Sequence, residues 1–398
     1  MSLYELEREK DTEGIAEVLR DSDKEAVRKR AAEILGRIPE SAGREIVKGL
    51  VEAATNDSSR SVRIAAVGSL KKLDEKNGLA NVVSDDGADD VVPLAVEGKR
   101  SDERAVRAAS ILLLGAADGK RAVEALVDAA DDPDKQVREV AARTIKETDH
   151  PAAVEALISM SDDPSPKVRE TVADAVAEHA EFGDSEEVVL ELSEDKNGSV
   201  RRAAASSLGS FGTERAVRRE AEMLGDGYEP VRLSAAFSIV ESLSNAPTER
   251  SHEIRKSAAK ATEKCAVGER TAEALADVLG ADERAARRNA AWLLGRVSQP
   301  TGGIVNSLIE ALGDEDETTA RFAANSLAET GGSKAEKAVI EATEVEDTRE
   351  MAVFALGELG GEKAGKVLSN LVDGTESDTV REKAFSALSK LDDPETHI

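Results

Sequence analysis

Residues 131–145 read DDPDKQVREVAARTI, and 31 residues further on, residues 162–176 read DDPSPKVRETVADAV. Such near-copying constrains the fold more than any other feature, because a chain that repeats at this period folds as a row of like units. Taking the apolar residue before a recurrent Arg as position zero, the register falls at Val27, Val62, Val106, Val137, Val168, Val200, Val231, Ala286, Thr319, Thr348 and Val380. Most steps are 29 to 35 residues; two are longer, 44 after Val62 and 55 after Val231. The second gap holds IRKSAAKATEK at 254–264, which mirrors VRKRAAEILGR at 27–37. Ile254 therefore opens a degenerate copy, and its first helix is expected to be lost or stunted.

Each unit reads as two helices. In the second, apolar residues at zero, +4 and +8, as in Val27, Ala31 and Leu35, mark one face of a helix. Val123, Leu126, Val127 and Ala130 do the same for a first helix. An Asp-rich turn joins the two; Asp134 or Ser165 is expected to cap the second helix, and Pro166 suits its first position. Gly at +9, as in Gly36, Gly115, Gly209, Gly295 and Gly357, is expected to close it. No single pair buries its apolar face alone, so pairs must stack. The expected fold is all-α, an α-solenoid of about eleven to twelve helix pairs. Residues 1–398 form one array in this reading, with irregular units near 77–93 and 244–268.

Composition agrees with thin layers. Only nine of 398 residues are aromatic, which suits closely spaced helices joined by Ala, Val and Leu. The chain carries 80 acidic and 53 basic side chains, a net charge of −27, which disfavours nucleic acid and anionic membranes as partners. The acid excess, with more Arg than Lys, is the balance of proteins from high salt. Cys265 stands alone, so no intrachain disulfide is expected, and a reducing interior fits. The start MSLYELEREK has no apolar signal core, and no apolar run approaches the ~18 residues of a membrane span. A cytoplasmic protein is expected.

The pattern D-x5-V-R-x2-A-A-x2-A-L-G, closely matched by DKNGSVRRAAASSLG at 195–209, resembles HEAT repeats of the short phycobilisome-lyase type. The resemblance covers essentially the whole chain. It implies scaffolds, adaptors and a few enzymes. The opening residues 1–36 and the acidic balance also resemble haloarchaeal taxis-associated HEAT-repeat proteins. That resemblance implies a role between a chemotaxis response regulator and the archaellum motor.

Two sets of residues stand out. Asp lies six residues before the +1 Arg in Asp57–Arg63, Asp132–Arg138, Asp163–Arg169, Asp195–Arg201 and Asp226–Arg232. This spacing predicts a structural ladder of Arg–Asp hydrogen bonds between successive turns. The +2 and +6 slots point opposite the buried face, and in HEAT-like stacks such positions line a concave groove. They hold Leu233, Phe237, Arg288, Trp292 and Phe354, which are the expected contacts for a protein partner.

Enzymatic chemistry finds little footing. His150, His179, His252 and His397 are scattered, and His252–Glu253 is one His-Glu pair where iron-holding HEAT enzymes use several. Cys265 reads as a small buried residue. No cofactor, metal or small-molecule substrate is expected. The function that emerges is a non-enzymatic scaffold gripping a protein partner; the rivals are a HEAT-type lyase or metal-dependent modifying enzyme, and a structural subunit of a larger complex.

Overall fold

The computed structural model describes residues 2–37, 43–74, 88–117, 119–148, 150–179, 184–246, 249–262, 269–296 and 302–391. Among these, every regular element is a helix. Cys265, His397 and residues 77–87 of the acidic stretch at 77–93 lie outside the described residues.

The pair Lys120–Ala129 and Lys135–Lys146 shows how the pattern becomes structure. The first helix buries Ala122, Val123, Ala125, Leu126 and Ala129. The Asp134 side chain accepts the Gln136 amide at 2.8 Å and starts the second helix. That helix buries Val137, Ala141, Ala142 and Ile145 against the first. Its flanks pack on the second helices before and after it, Arg104–Gly115 and Pro166–Val176. Pro166 occupies the first turn as expected, but the Ser165 hydroxyl bonds to Glu139 and not to its own helix.

Contacts divide the chain into two units, 1–188 and 189–398. The first begins with Leu3–Glu9 and then stacks five pairs: Thr12–Asp21 with Glu25–Leu35, Arg44–Asn56 with Arg60–Asp74, Ala88–Gly98 with Arg104–Gly115, Lys120–Ala129 with Lys135–Lys146, and Pro151–Ser159 with Pro166–Val176. Ser185–Leu192 spans the boundary and precedes Gly198–Leu208. The second unit continues with Glu214–Met223 and Glu229–Asn245, Glu269–Asp277 and Arg284–Leu294, Gly302–Ala311 and Glu317–Thr330, Gly332–Ala342 and Arg349–Leu359, and Gly361–Gly374 and Asp378–Leu391. Described helices thus make five pairs of an α-solenoid in the first unit and five in the second, beside Leu3–Glu9, Ser185–Leu192, Gly198–Leu208 and Ser251–Thr262. This extra helix is not the second helix that its sequence imitates. It packs chiefly along the first helix Glu214–Met223.

The glycines at +9 carry the stacking by absence of a side chain, not by left-handed backbone. Gly36, Gly209 and Gly295 end their helices with right-handed dihedrals. What each meets is the +7 residue of the next repeat. A Cβ on Gly36 would lie 2.5–2.7 Å from Ser69, one on Gly115 2.0 Å from Thr144, and one on Gly295 2.5 Å from Ser326. At two of these seams the serine also bonds across: Ser69 Oγ donates to the Ala32 carbonyl at 2.7 Å, and Ser326 Oγ to the Ala291 carbonyl at 2.5 Å.

The equivalent serine beside Gly209 does something else. Ser238 Oγ donates to Glu220 Oε1 at 2.6 Å, and Ser242 Oγ donates to the same oxygen at 2.8 Å. Glu220 is wholly buried, on the apolar stripe of its own helix beside Ala216, Val217 and Ala221. Burial pushes its carboxyl up to about 8; the two serines oppose the shift and nearby Glu241 adds to it.

Two outcomes follow. Gly36→Ala forces Ser69 away and is expected to destabilise by about 1–3 kcal/mol. Gly68→Ala, at a helical position with open space around it, is expected to stabilise by about 0.5–1 kcal/mol; paired denaturation curves check both. For Glu220, the folded pKa lies above the unfolded value near 4.5, so between these pH values only the folded state holds the proton. Stability should therefore fall by roughly 1.4 kcal/mol per pH unit from about 4.5 to about 8 through this group. Glu220→Gln should remove that slope and gain more at pH 7.5 than at pH 5, as read by melting temperature.

Candidate functional site

The recurrent arginine is the most regular polar feature. Arg138 shows its geometry in full. Its Nη1 donates to the Asp132 carbonyl, six residues back in its own turn, at 2.8 Å. Its Nε and Nη2 donate to both carboxylate oxygens of Asp163, in the next repeat, at 2.6 and 3.1 Å. Asp163 also accepts the Ser165 amide at 2.7 Å. One guanidinium thus holds two successive turns, and the aspartate shapes the turn in which it sits.

The same bidentate link joins Arg28 to Asp57, Arg107 to Asp132, Arg201 to Asp226 and Arg287 to Asp314. Arg63 reaches Glu103 instead, while its Nη1 donates to the Asp57 carbonyl. Arg169 and Arg232 donate to the carbonyls of Asp163 and Asp226, and Asp195 gives its carbonyl to Arg201. The six-residue Asp–Arg spacing is therefore a carbonyl link within one turn, whereas the five bidentate Arg–Asp links run 25–29 residues along the chain. Hydrogen bonding to Asp163 holds the Arg138 guanidinium above its ordinary pKa. Burial raises the Asp57 and Asp226 carboxyls, yet the arginine and amide hydrogen bonds outweigh it and leave both below the usual range.

The second candidate set divides. Phe237 is 48% exposed, with half-buried Leu233 one turn before it on the same helix. Trp292 was expected to project outward, and the structure corrects this: it is only 7% exposed. The Arg296 guanidinium lies over its ring, 4.3 Å from the centroid, and Arg296 Nη1 also donates to the Trp292 carbonyl. Arg288 is half-buried and engaged with Asp316 at 3.2 Å, so its charge is not a free one.

Phe354 is half-buried for a different reason. It lines a cleft of about 230 Å³ between three consecutive second helices, Glu317–Thr330, Arg349–Leu359 and Asp378–Leu391. Met351, Gly357, Ser386 and Ala387 complete its walls. Arg321, Lys383 and Lys390 stand around it with Glu317 and Glu358. Lys390 Nζ lies 5.4 Å from the Phe354 ring centroid and 2.8 Å from Glu358. Sequence reasoning found Phe354 but not its companions, which come from several different slots of three different repeats.

Among the described residues, no group of three or more His, Cys, Asp or Glu is placed to hold a metal ion. His150 is spent as a helix cap, accepting the Ala152 amide. No described helix is long and apolar enough to cross a membrane.

A model of HEAT repeats matches residues 12–98, 92–177, 154–240 and 272–347. A HEAT repeat-containing taxis protein of Halobacterium salinarum is 36% identical over 407 residues, covering 98% of each chain. The crystal structure of an engineered protein aligns with 96% of this chain and 99% of its own, at 18% identity and a TM-score of 0.46, too distant to bear on function. The chain belongs to the HEAT-repeat family.

Proposed function

We propose that this HEAT-repeat chain is a non-enzymatic scaffold that binds a protein partner on the outward face of its second helices. The observation that carries the reading is the contrast between two kinds of residue there. The ladder arginines spend their donors within the fold, while Phe237 stays half exposed and Phe354 opens into a cleft. A large apolar surface kept in water is a typical anchor for a partner. A preformed helical face adds little ordering cost on binding.

The taxis name of the Halobacterium salinarum relative supports a narrower version. In it the partner is a taxis response regulator or a motor adaptor, and the chain works in the cytoplasm as a single repeat array.

Phe237→Ala combined with Phe354→Ala is expected to abolish partner capture in affinity purification at native salt, with helical content unchanged. Undiminished capture by this variant would contradict the reading. Deletion of the gene should alter swimming reversals, and normal reversals would exclude the taxis version alone.

A further inference from the structure

Arg255 holds the +1 register of the degenerate copy that Ile254 opens, yet it does nothing that a ladder arginine does. The other +1 arginines, from Arg28 to Arg381, all donate to the carbonyl six residues back in their own turn. Arg28, Arg107, Arg138, Arg201 and Arg287 also present the edge formed by Nε and Nη2 to an aspartate of the next turn. Arg255 makes neither link. Its Nη2 donates to Asn289 Oδ1 at 2.6 Å, and its Nε is buried without a hydrogen-bond partner.

Asn289 is itself fixed. It is buried, and its Nδ2 donates to Ser244 Oγ at 2.9 Å and to the Val240 carbonyl at 3.3 Å, which turns its Oδ1 toward Arg255. The Arg255 guanidinium also lies over the Phe322 ring, 5.8 Å from its centroid. An amide dipole and a ring face attract a cation but leave its charge uncancelled.

Charge is unbalanced at this point. Arg288 is a second guanidinium close by, and Asp316 is already held by Arg288 and by the Thr319 amide and hydroxyl. Two cations thus share one carboxylate, in a chain of net charge −27. Burial, and then Arg288, lowers the Arg255 pKa, whereas the five aspartate-bound ladder arginines are raised. A guanidinium keeps its proton even so, and a desolvated cation without a counter-ion is unfavourable until an anion arrives. A planar carboxylate fits best, because the same edge takes one in five repeats and one carboxylate balances one guanidinium. Arg255 and Phe322 are both half-buried, which places the site at the margin of the surface.

We infer that Arg255, set between Asn289, Arg288 and Phe322, is a binding site for one carboxylate from outside the chain, which accepts from the orphaned Nε. The site does not depend on the scaffold reading.

The test follows the arginine Nε–H signals of the full chain by NMR, with that of Arg255 identified by its loss in Arg255→Lys. Sodium acetate should move the Arg255 signal saturably, sodium chloride at equal ionic strength should not, and the ladder arginines should stay where they are. Asn289→Asp puts a carboxylate of the chain on Nη2 and should weaken acetate binding roughly tenfold or more. The gain in melting temperature from acetate over chloride should be larger for the unaltered chain than for Arg255→Gln. A short capped peptide with a single aspartate separates the sources. Tighter binding than acetate marks a protein side chain, and exclusion of the peptide while acetate binds marks a small free carboxylate; either result keeps the site. The inference is overturned if acetate leaves the Arg255 signal unmoved, if chloride moves it equally, or if Asn289→Asp binds acetate as well as the unaltered chain. Where Arg255→Gln does not fold, the Asn289→Asp titration decides alone.

Discussion

An arginine one residue past the start of the apolar face, present in most second helices, holds the turns in place. It closes its own turn through a backbone carbonyl and, in five repeats, grips the carboxylate of the turn that follows. A helix pair of about thirty residues buries too little apolar surface to stand alone. Its neighbours must complete it, and they must arrive in a fixed register. A flat guanidinium with five donors fits that task better than an ammonium, because it presents donors in a rigid plane to two acceptors at once.

The apolar part of the same problem is solved with small residues. A missing side chain at +9 lets the +7 residue of the next repeat sit against the helix end. Close approach of helices replaces bulk, which explains how a chain with nine aromatics builds a continuous core. Glu220 departs from this scheme. It occupies an apolar slot and draws in Ser238 and Ser242, placing a titrating group on the helix against which the extra helix Ser251–Thr262 packs.

Much of this was legible in the letters. The register from Val27 to Val380 marks second helices throughout, because a period of thirty-odd residues with an apolar stripe has few other solutions. The +1 Arg and its Asp were also visible, but spacing reveals only partners in one turn; the carboxylate of Asp163 belongs to Arg138, a full repeat away. Other residues were hidden for reasons of their own. Trp292 looks outward until Arg296 is seen lying over it. Ile254 sits in a sequence that imitates a second helix, yet its helix packs on a first helix, since nearest-neighbour packing and not letter pattern decides the row. The cleft at Phe354 needed three repeats side by side, and no window on one repeat contains it.

That the repeats are coupled through the guanidinium ladder is tested most directly by hydrogen–deuterium exchange on Arg138→Ala. The account predicts roughly tenfold or faster exchange in the following turn, at Asp163 and Ser165, about one repeat away in sequence. Faster exchange confined to the turn that carries residue 138, with the Asp163 turn as protected as before, would contradict it.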